Sequence, residues 1–504
     1  MNYKVIGPPG TGKTQTLLDK VMEYKESGSS LDRIGYFAFT RKAAYEARDR
    51  LLETYLFLEK KDVKHFRTLH SFAFRYLGLK EENVMQEEHY KVIGEECGLR
   101  IKYASYEKND FNGIFTSNSE YLSLINLARV RNISVLDQLD RNEHLGKIER
   151  DKLQVVAKHI DDYKNAYHLT DYNDMLDNFI TNVQLPKAKV PQFDVIFIDE
   201  AQDLSILQWK MIKVLQQYTK DVYVAGDDDQ AIFGWAGADV DSFINFDATE
   251  ISLEQSERVP KIIQERAMDR LDNIRTRIFK TYYPTPEEGN IQSFFSISPI
   301  NFSKGDWYIL ARTNDLLKPI CKELRRRGIY FETKDGRSMN ESLYKDILNW
   351  EAWRKGNSLN TIEIQRLLER FNKKFRETDD KLFTLNDLKK EYKLDSSLQW
   401  YEAFTAVTPT TKTYIRSMRR NGEDLRIKPR VKVLTLHSSK GGEATNVVIL
   451  QNQTANTIKG ATKTIMKQDE EQRVWYVGVT RTKQNLYILT ARQENKGYDI
   501  ESLG

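Results

Sequence analysis

The segment Gly7-Pro8-Pro9-Gly10-Thr11-Gly12-Lys13-Thr14 constrains this chain more than any other, because it joins a β-branched, aromatic run at residues 3–6 to a helical pattern. Glycines at such a junction let backbone N–H groups approach phosphate oxygens, and the helix N-terminus that follows adds a partial positive charge. Lys13 is then placed to reach the β- and γ-phosphates of a nucleotide, and Thr14 to give its hydroxyl to Mg²⁺. Taken alone, the segment also reads as a Gly-rich turn. The strand before it and the helix after it favour a phosphate cradle.

Apolar runs at residues 36–40, 195–198 and 222–225 read as further buried parallel strands of one α/β sheet. Two of them lead into Asp199-Glu200-Ala201-Gln202-Asp203 and Gly226-Asp227-Asp228-Asp229-Gln230. Ligands of open α/β sheets collect at these carboxyl ends. Asp199 suits a Mg²⁺ shell, Glu200 suits polarising a water, and the Gln230 amide suits sensing a γ-phosphate. An acidic helix start or turn is the alternative for these clusters by themselves. Arg258 and Arg481 offer guanidinium groups where charge develops in phosphoryl transfer.

A chain of 504 residues exceeds one hydrophobic core. A second strand series, at 308–311, 431–436, 447–450 and 486–489, predicts a second sheet, with a hinge near Val259-Pro260 and a cleft between the layers. The expected division is a first domain of 1–71 and 193–259 and a second of 260–335 and 431–504. Mostly helical inserts occupy 72–192 and 336–430. In the first insert, Leu153, Val156, Ile160, Tyr163 and Tyr167 recur at helical steps before a loop at 185–191. The second carries Trp350, Trp353 and Trp400, then a basic stretch with Lys412, Arg416, Arg419, Arg420, Arg426, Lys428 and Arg430. That stretch could steer a duplex or a partner protein, or simply be a solvated face.

Net charge is +4, from 77 basic and 73 acidic residues, so any basic track is local. Cys97 and Cys321 have no metal-spaced neighbours, which argues against disulfide or zinc scaffolds and for a reducing compartment. The N-terminus enters Tyr3-Lys4-Val5-Ile6 at once, with no cleavable signal, and no apolar run nears the ~20 residues of a membrane span. A cytoplasmic protein without membrane contact is expected.

In order along the chain, residues 7–14, Tyr36-Phe37-Ala38-Phe39-Thr40-Arg41-Lys42-Ala43-Ala44, Thr68-Leu69-His70-Ser71-Phe72 and Asp171-Tyr172-Asn173-Asp174-Met175-Leu176 are followed by residues 199–203 and 226–239. Leu253-Glu254-Gln255-Ser256-Glu257-Arg258, Thr435-Leu436-His437-Ser438-Ser439-Lys440-Gly441-Gly442-Glu443 and the segment 470–481 complete the series. These nine segments resemble the motifs of superfamily 1 DNA helicases of the UvrD/Rep/PcrA group. The resemblance implies two RecA-like parallel-sheet P-loop domains, each with a helical insert, closing on ATP and Mg²⁺. It implies ATP-dependent 3′ to 5′ movement on single-stranded DNA and unwinding at single-strand/duplex junctions. A monomer, and a protein partner from replication or repair, are expected with it.

The implied nucleotide contacts are Gly7, Pro8, Pro9, Gly10, Thr11, Gly12, Lys13, Thr14, Gln15 and Glu443, with Thr14 and Asp199 on the metal. Lys13, Glu200, Gln230, Arg258 and Arg481 are the catalytic set. The implied DNA contacts are Phe39, Arg41, His70, Phe233, Trp235 and His437. Aromatic faces stack on bases without reading sequence, which suits Phe233 and Trp235; core packing is their alternative, and a structural histidine that of His70 and His437. Two other readings stay open: a single-strand translocase that removes or loads proteins without processive unwinding, and a nucleotide-gated DNA-binding switch.

The chain departs from the family pattern in places. Only six residues precede Gly7, where the family carries a glutamine segment that reads adenine, and Glu257 stands where a base-stacking tyrosine is usual. Weak adenine preference is the expectation. Ala236 replaces a common arginine, removing a DNA or interdomain contact, and Gly442 replaces a leucine, which is expected to loosen its loop.

Overall fold

All seven residues of the strand Phe193–Asp199 are buried, as its near-continuous apolar sequence requires of a strand with neither face in water. The structure is a computed structural model and describes residues 1–106, 114–141, 148–186, 188–375, 382–491, 496–498 and 500. The first sheet runs Phe66–Arg67, Ile34–Ala38, Phe193–Asp199, Thr219–Gly226, Asn2–Ile6, Thr249–Ser252, with every neighbouring pair parallel. On one face, Val5, Tyr36, Val195, Phe197 and Ala225 pack with Leu17, Leu18 and Val21 of the helix Lys13–Glu26 and with Ala44, Ala47 and Leu51 of Arg41–Thr54.

Polar residues fix where the helices begin. Thr40 Oγ1 accepts from the Ala43 N–H at 3.0 Å and Thr68 Oγ1 from the Ser71 N–H at 3.2 Å, capping Arg41–Thr54 and Leu69–Tyr76. Asp171 caps Tyr172–Val183 through the N–H groups of Asn173 and Asp174. Each such cap contributes about 1 kcal/mol. Three of the nine motif segments thus supply the start of a helix as well as any ligand contact.

Contacts divide the chain into two units, Met1–Glu288 with Ala461–Tyr476, and Gly289–Gly460 with Val477–Gly504. The division falls at Glu288, and Val259-Pro260 lies inside the first unit. The strand Gln255–Pro260 pairs in parallel with Tyr283–Thr285, and the Lys261 N–H donates to the Glu287 carbonyl, so the chain beyond Pro260 stays on the first sheet's side. Arg473 joins the returning segment to this unit by donating to the Thr276 carbonyl at 2.6 Å.

Between residues 72 and 192 the expected helix forms, Arg150–Tyr167, with Leu153, Val156 and Ile160 in a core with Tyr90, Ile93 and Leu122. The same stretch also holds an antiparallel hairpin, Ala104–Tyr106 with Phe115–Ser117. Of the loop expected at 185–191, Lys187 lies outside the described residues.

The second unit's sheet runs Asn290–Phe294, Thr482–Leu489, Ala444–Leu450, Trp307–Ala311, Val431–Thr435, Phe331–Thr333, Gly336–Arg337. It is parallel except for the last pair. The helices Glu341–Arg354, Thr361–Glu369 and Pro409–Arg420 lie in sequence between its strands. Trp350, Trp353 and Trp400 are buried in that unit's core, packed among Phe404, Leu367 and Met418. They are structural aromatics and not a surface for DNA. In the basic stretch, Arg419 pairs with Glu351, Arg426 with Asp424 and Arg430 with Glu423, so much of its charge is already balanced.

Candidate active site

Gly10 and Gly12 hold φ of +80° and +81°, the left-handed region that favours glycine. A Cβ on Gly10 would lie 2.5 Å from Arg258 Cβ and 2.6 Å from Ser256 Oγ. The phosphate loop and the strand Gln255–Pro260 are therefore in close contact. Ser256 Oγ and the Tyr282 hydroxyl both donate to the Pro9 carbonyl, at 2.9 and 3.0 Å, and the Glu257 N–H donates to the Gly10 carbonyl at 2.9 Å. These bonds bring Arg258 to the loop. Gln15 is exposed and bonded to Asp19.

Lys13 is 8% exposed and donates to the Gly7 carbonyl at 2.6 Å. Burial draws its pKa down; Asp227, Glu200 and Asp199 pull the other way, and Arg258 adds to the lowering. One ammonium is thus surrounded by the acidic groups from two strand ends. Thr14 Oγ1 donates to Asp199 Oδ2 at 2.8 Å, and the Tyr36 hydroxyl donates to the same oxygen at 2.7 Å. Burial, then Glu200, raises the Asp199 pKa against these two bonds. Two neighbouring oxygens of an octahedral Mg²⁺ with bonds of about 2.1 Å lie about 3 Å apart. The Thr14–Asp199 oxygen pair fits that edge, and both donors are of the hard type Mg²⁺ takes.

Glu200 has φ of +55° and ψ of +42°, a conformation that costs a non-glycine residue of order 1 kcal/mol. Its N–H donates to Asp199 Oδ1 at 2.9 Å, and its carbonyl accepts from the Asp203 N–H at 3.1 Å. Glu200 Oε2 accepts from Gln202 Nε2 at 2.6 Å, and Gln202 Oε1 accepts from the Asp227 N–H at 3.1 Å. Gln230 Nε2 donates to Asp227 Oδ2 at 2.7 Å. A hydrogen-bonded chain therefore links Glu200 to Gln230 through Gln202 and Asp227, neither of which the sequence assigns a role.

The aspartates 227–229 have carboxylate oxygens within 4.8 Å of one another, a spacing that could hold a metal. An ammonium takes that place. Lys280 Nζ lies 2.9 Å from Asp227 and 2.8 Å from Asp229 and pairs with Asp228, while Arg277 forks onto Asp229 at 2.8 and 2.7 Å. Burial works against the Lys280 charge, yet the three carboxylates outweigh it and hold its pKa above the ordinary lysine value. Nothing in the sequence signals Lys280, which lies 50 residues from Gln230.

The residues expected on DNA separate by exposure. Trp235 is 49% exposed and Arg41 is exposed, whereas Phe39, His70 and Phe233 are buried, at 7%, 5% and 2%. Phe39 and Phe233 stack on one another at 5.5 Å, and the His70 ring meets Tyr172 at 5.6 Å. In this structure those three pack and do not present a face to a base. The Trp235 loop is held from two sides, by Glu470 accepting from the Trp235 N–H at 3.3 Å and by Arg131 donating to the Gly234 carbonyl at 3.1 Å.

Burial, with Arg41 adding to it, draws the His70 pKa to about 4, so the fold retains the neutral ring. The unfolded chain protonates near pH 6.5 and the fold does not, so stability is full above that pH and falls as pH drops toward 4. The expected loss is about 2 kcal/mol at pH 5. Urea unfolding of the parent and of His70→Gln at pH 7.5 and 5.0 checks this: the variant should show the weaker pH dependence.

In the second unit, Arg481 is 2% exposed and donates to the carbonyls of Val477 at 2.9 Å and Gly442 at 3.2 Å. Glu443 is exposed and pairs with Lys483 at 3.2 Å. His437 is partly buried, and desolvation draws its pKa to about 3. At Gly442, a Cβ would sit 2.4 Å from the Tyr308 hydroxyl, so the tyrosine occupies the space a leucine would need.

The model of the UvrD/REP helicase N-terminal domain matches residues 1–250, and that of the UvrD-like helicase C-terminal domain matches residues 357–493. The chain is a member of the UvrD/Rep helicase family. Its α/β architecture of two parallel sheets is the two-domain RecA-like helicase fold. Among relatives of this UvrD-family chain, DNA helicase II of Haemophilus influenzae is 27% identical over 58% of the chain and 42% of its own length. A probable DNA helicase II homolog of Mycoplasma capricolum is 23% identical over 90% and 65%. The ATP-dependent DNA helicase PcrA of Leuconostoc citreum is 24% identical over 69% and 50%. The chain spans about two-fifths to two-thirds of the length of these relatives. Among the described residues, no helix is long and apolar enough to cross a membrane.

Proposed function

We propose that this UvrD-family chain is an ATP- and Mg²⁺-dependent helicase that moves 3′ to 5′ on single-stranded DNA and opens duplex at the junction. It acts as a cytoplasmic monomer beside a replication or repair protein. The observation that carries the reading is the clustering of Lys13, the Thr14–Asp199 oxygen pair, Glu200 and Gln230 at the carboxyl ends of three adjacent parallel strands. The relatives' names support DNA as the substrate; the direction is inherited from the family resemblance. The four-part division into two sheet domains, each with an insert, remains part of this proposal.

Each residue has a chemical task. Lys13 and the loop N–H groups attract the polyphosphate, and Arg258 adds a cation where charge develops. Thr14 and Asp199 would hold Mg²⁺, which when bound neutralises charge on the phosphate oxygens. Glu200 accepts the proton of the attacking water, and Gln230 orients its amide toward the phosphate end. Arg481 is proposed as a second cation on the strength of its motif, and Gln15 and Glu443 as nucleotide contacts. Arg41 and Trp235 are the DNA contacts that exposure supports best.

ATP turnover with and without single-stranded DNA, followed by strand separation on duplexes with 3′ or 5′ tails, tests the reading. Stimulation by DNA and opening of the 3′-tailed duplex alone are expected. Stimulation without separation would leave a translocase, and absence of turnover would leave a binding switch. Trp235→Ala is expected to weaken single-strand affinity by about 1–3 kcal/mol and to lower DNA-stimulated turnover more than basal turnover. Equal loss of both would make Trp235 a packing residue.

A further inference from the structure

Asp227, Asp228 and Asp229 are 0%, 0% and 1% exposed, and their counter-charge comes from Lys280 and Arg277. Desolvating five charges is unfavourable, and apolar side chains of similar volume would hold a fold at least as well. What a charge cluster supplies in their place is fixed geometry. Asp227 is the member whose geometry matters, because its two carboxylate oxygens face different partners. Oδ1 accepts from Lys280 at 2.9 Å and Oδ2 from the Gln230 amide at 2.7 Å. Its N–H donates to Gln202, which in turn holds Glu200.

We infer that Lys280 is a positioning residue for nucleotide hydrolysis: by holding the Asp227 carboxylate, it orients the Gln230 amide beside the phosphate loop. The Ile278 N–H, donating to Asp228 at 2.8 Å, and the Arg277 fork seat the 277–280 segment so that the ammonium reaches all three aspartates. The inference rests on the hydrolytic reading above. Lys280 acts on the reaction only through Asp227.

The test compares the full chain with Lys280→Met, Lys280→Arg, Asp227→Asn and the double variant Lys280→Met/Asp227→Asn. The readouts are kcat and KM for MgATP under saturating oligo-dT, Kd for a fluorescent ATP analogue, and thermal melting to correct for folded fraction. Lys280→Met is expected to lower kcat about tenfold, the scale of one well-placed charge-assisted hydrogen bond, with nucleotide Kd unchanged. Asp227→Asn should lower kcat by a similar factor, and the double variant should have a kcat no lower than either single one, because both break one link. Parent-like kcat per folded molecule, or losses that multiply in the double variant, would overturn the inference.

Should Lys280→Met fail to fold, Lys280→Arg decides. A planar guanidinium keeps the charge but does not place one nitrogen among three carboxylates, so about a threefold loss of kcat is expected, and none would sink the idea. A parent protein that binds the analogue but never hydrolyses ATP would refute the hydrolytic reading itself, and this inference with it.

Discussion

Lys13→Ala is expected to abolish nucleotide binding at ordinary concentrations, with Kd rising by about two to three powers of ten. The magnitude follows from what the ammonium faces. Lys13 is almost fully buried at the loop, with Asp227, Glu200 and Asp199 as the carboxylates that act on it most. Without it, the polyphosphate would enter a site whose fixed charges are mainly negative, and removing one partner from a buried charge arrangement costs about 2–5 kcal/mol. Calorimetric titration with MgATP reads the loss directly. Far-ultraviolet circular dichroism should match the parent, since the helix Lys13–Glu26 keeps its glycine entry and its packed face. Parent-like affinity would remove the loop from nucleotide recognition.

Glu200→Gln is the complementary case: binding survives and turnover falls by about 10²–10⁴, the contribution of a positioned general base. Glutamine preserves length and can still accept from Gln202 through its amide oxygen, so the chain from residue 200 to Gln230 need not collapse. What disappears is the capacity to take a proton from water. The left-handed backbone at Glu200 sharpens the expectation, because strain of that kind persists only where the surroundings hold it, and here Asp199 and Asp203 do so. Single-turnover hydrolysis of prebound nucleotide separates the two steps. Normal hydrolysis by the variant would strip Glu200 of its role.

Much of this site was legible in the sequence because its members sit at strand ends. The runs 3–6, 195–198 and 222–225 are interior strands with continuous apolar residues, so the polar groups that follow them fall at one sheet edge. Edge strands were not legible: Thr249–Ser252 is mostly exposed and carries no apolar run, and Phe66–Arg67 is two residues long. The supporting shell escaped for a different reason. Tyr36, Gln202 and Lys280 each reach a carboxylate or backbone group on a segment distant in sequence, and no periodicity encodes such a meeting. Pro260 ends a strand that pairs with Tyr283–Thr285, a meeting of distant segments that a proline in the sequence does not announce. Phe39 and Phe233 show what composition leaves open, since an aromatic side chain near a ligand loop serves equally well as wall or as platform, and their burial is not encoded in the motif.

The distribution of indoles has an optical consequence. Of the seven tryptophans, Trp209, Trp307, Trp350, Trp353, Trp400 and Trp475 are at most 4% exposed, while Trp235 is 49% exposed. A collisional quencher such as iodide can therefore reach one emitter and leaves six dark to it. The accessible fraction of the protein's ultraviolet emission is a built-in gauge of whether anything covers the Trp235 loop, with no dye attached.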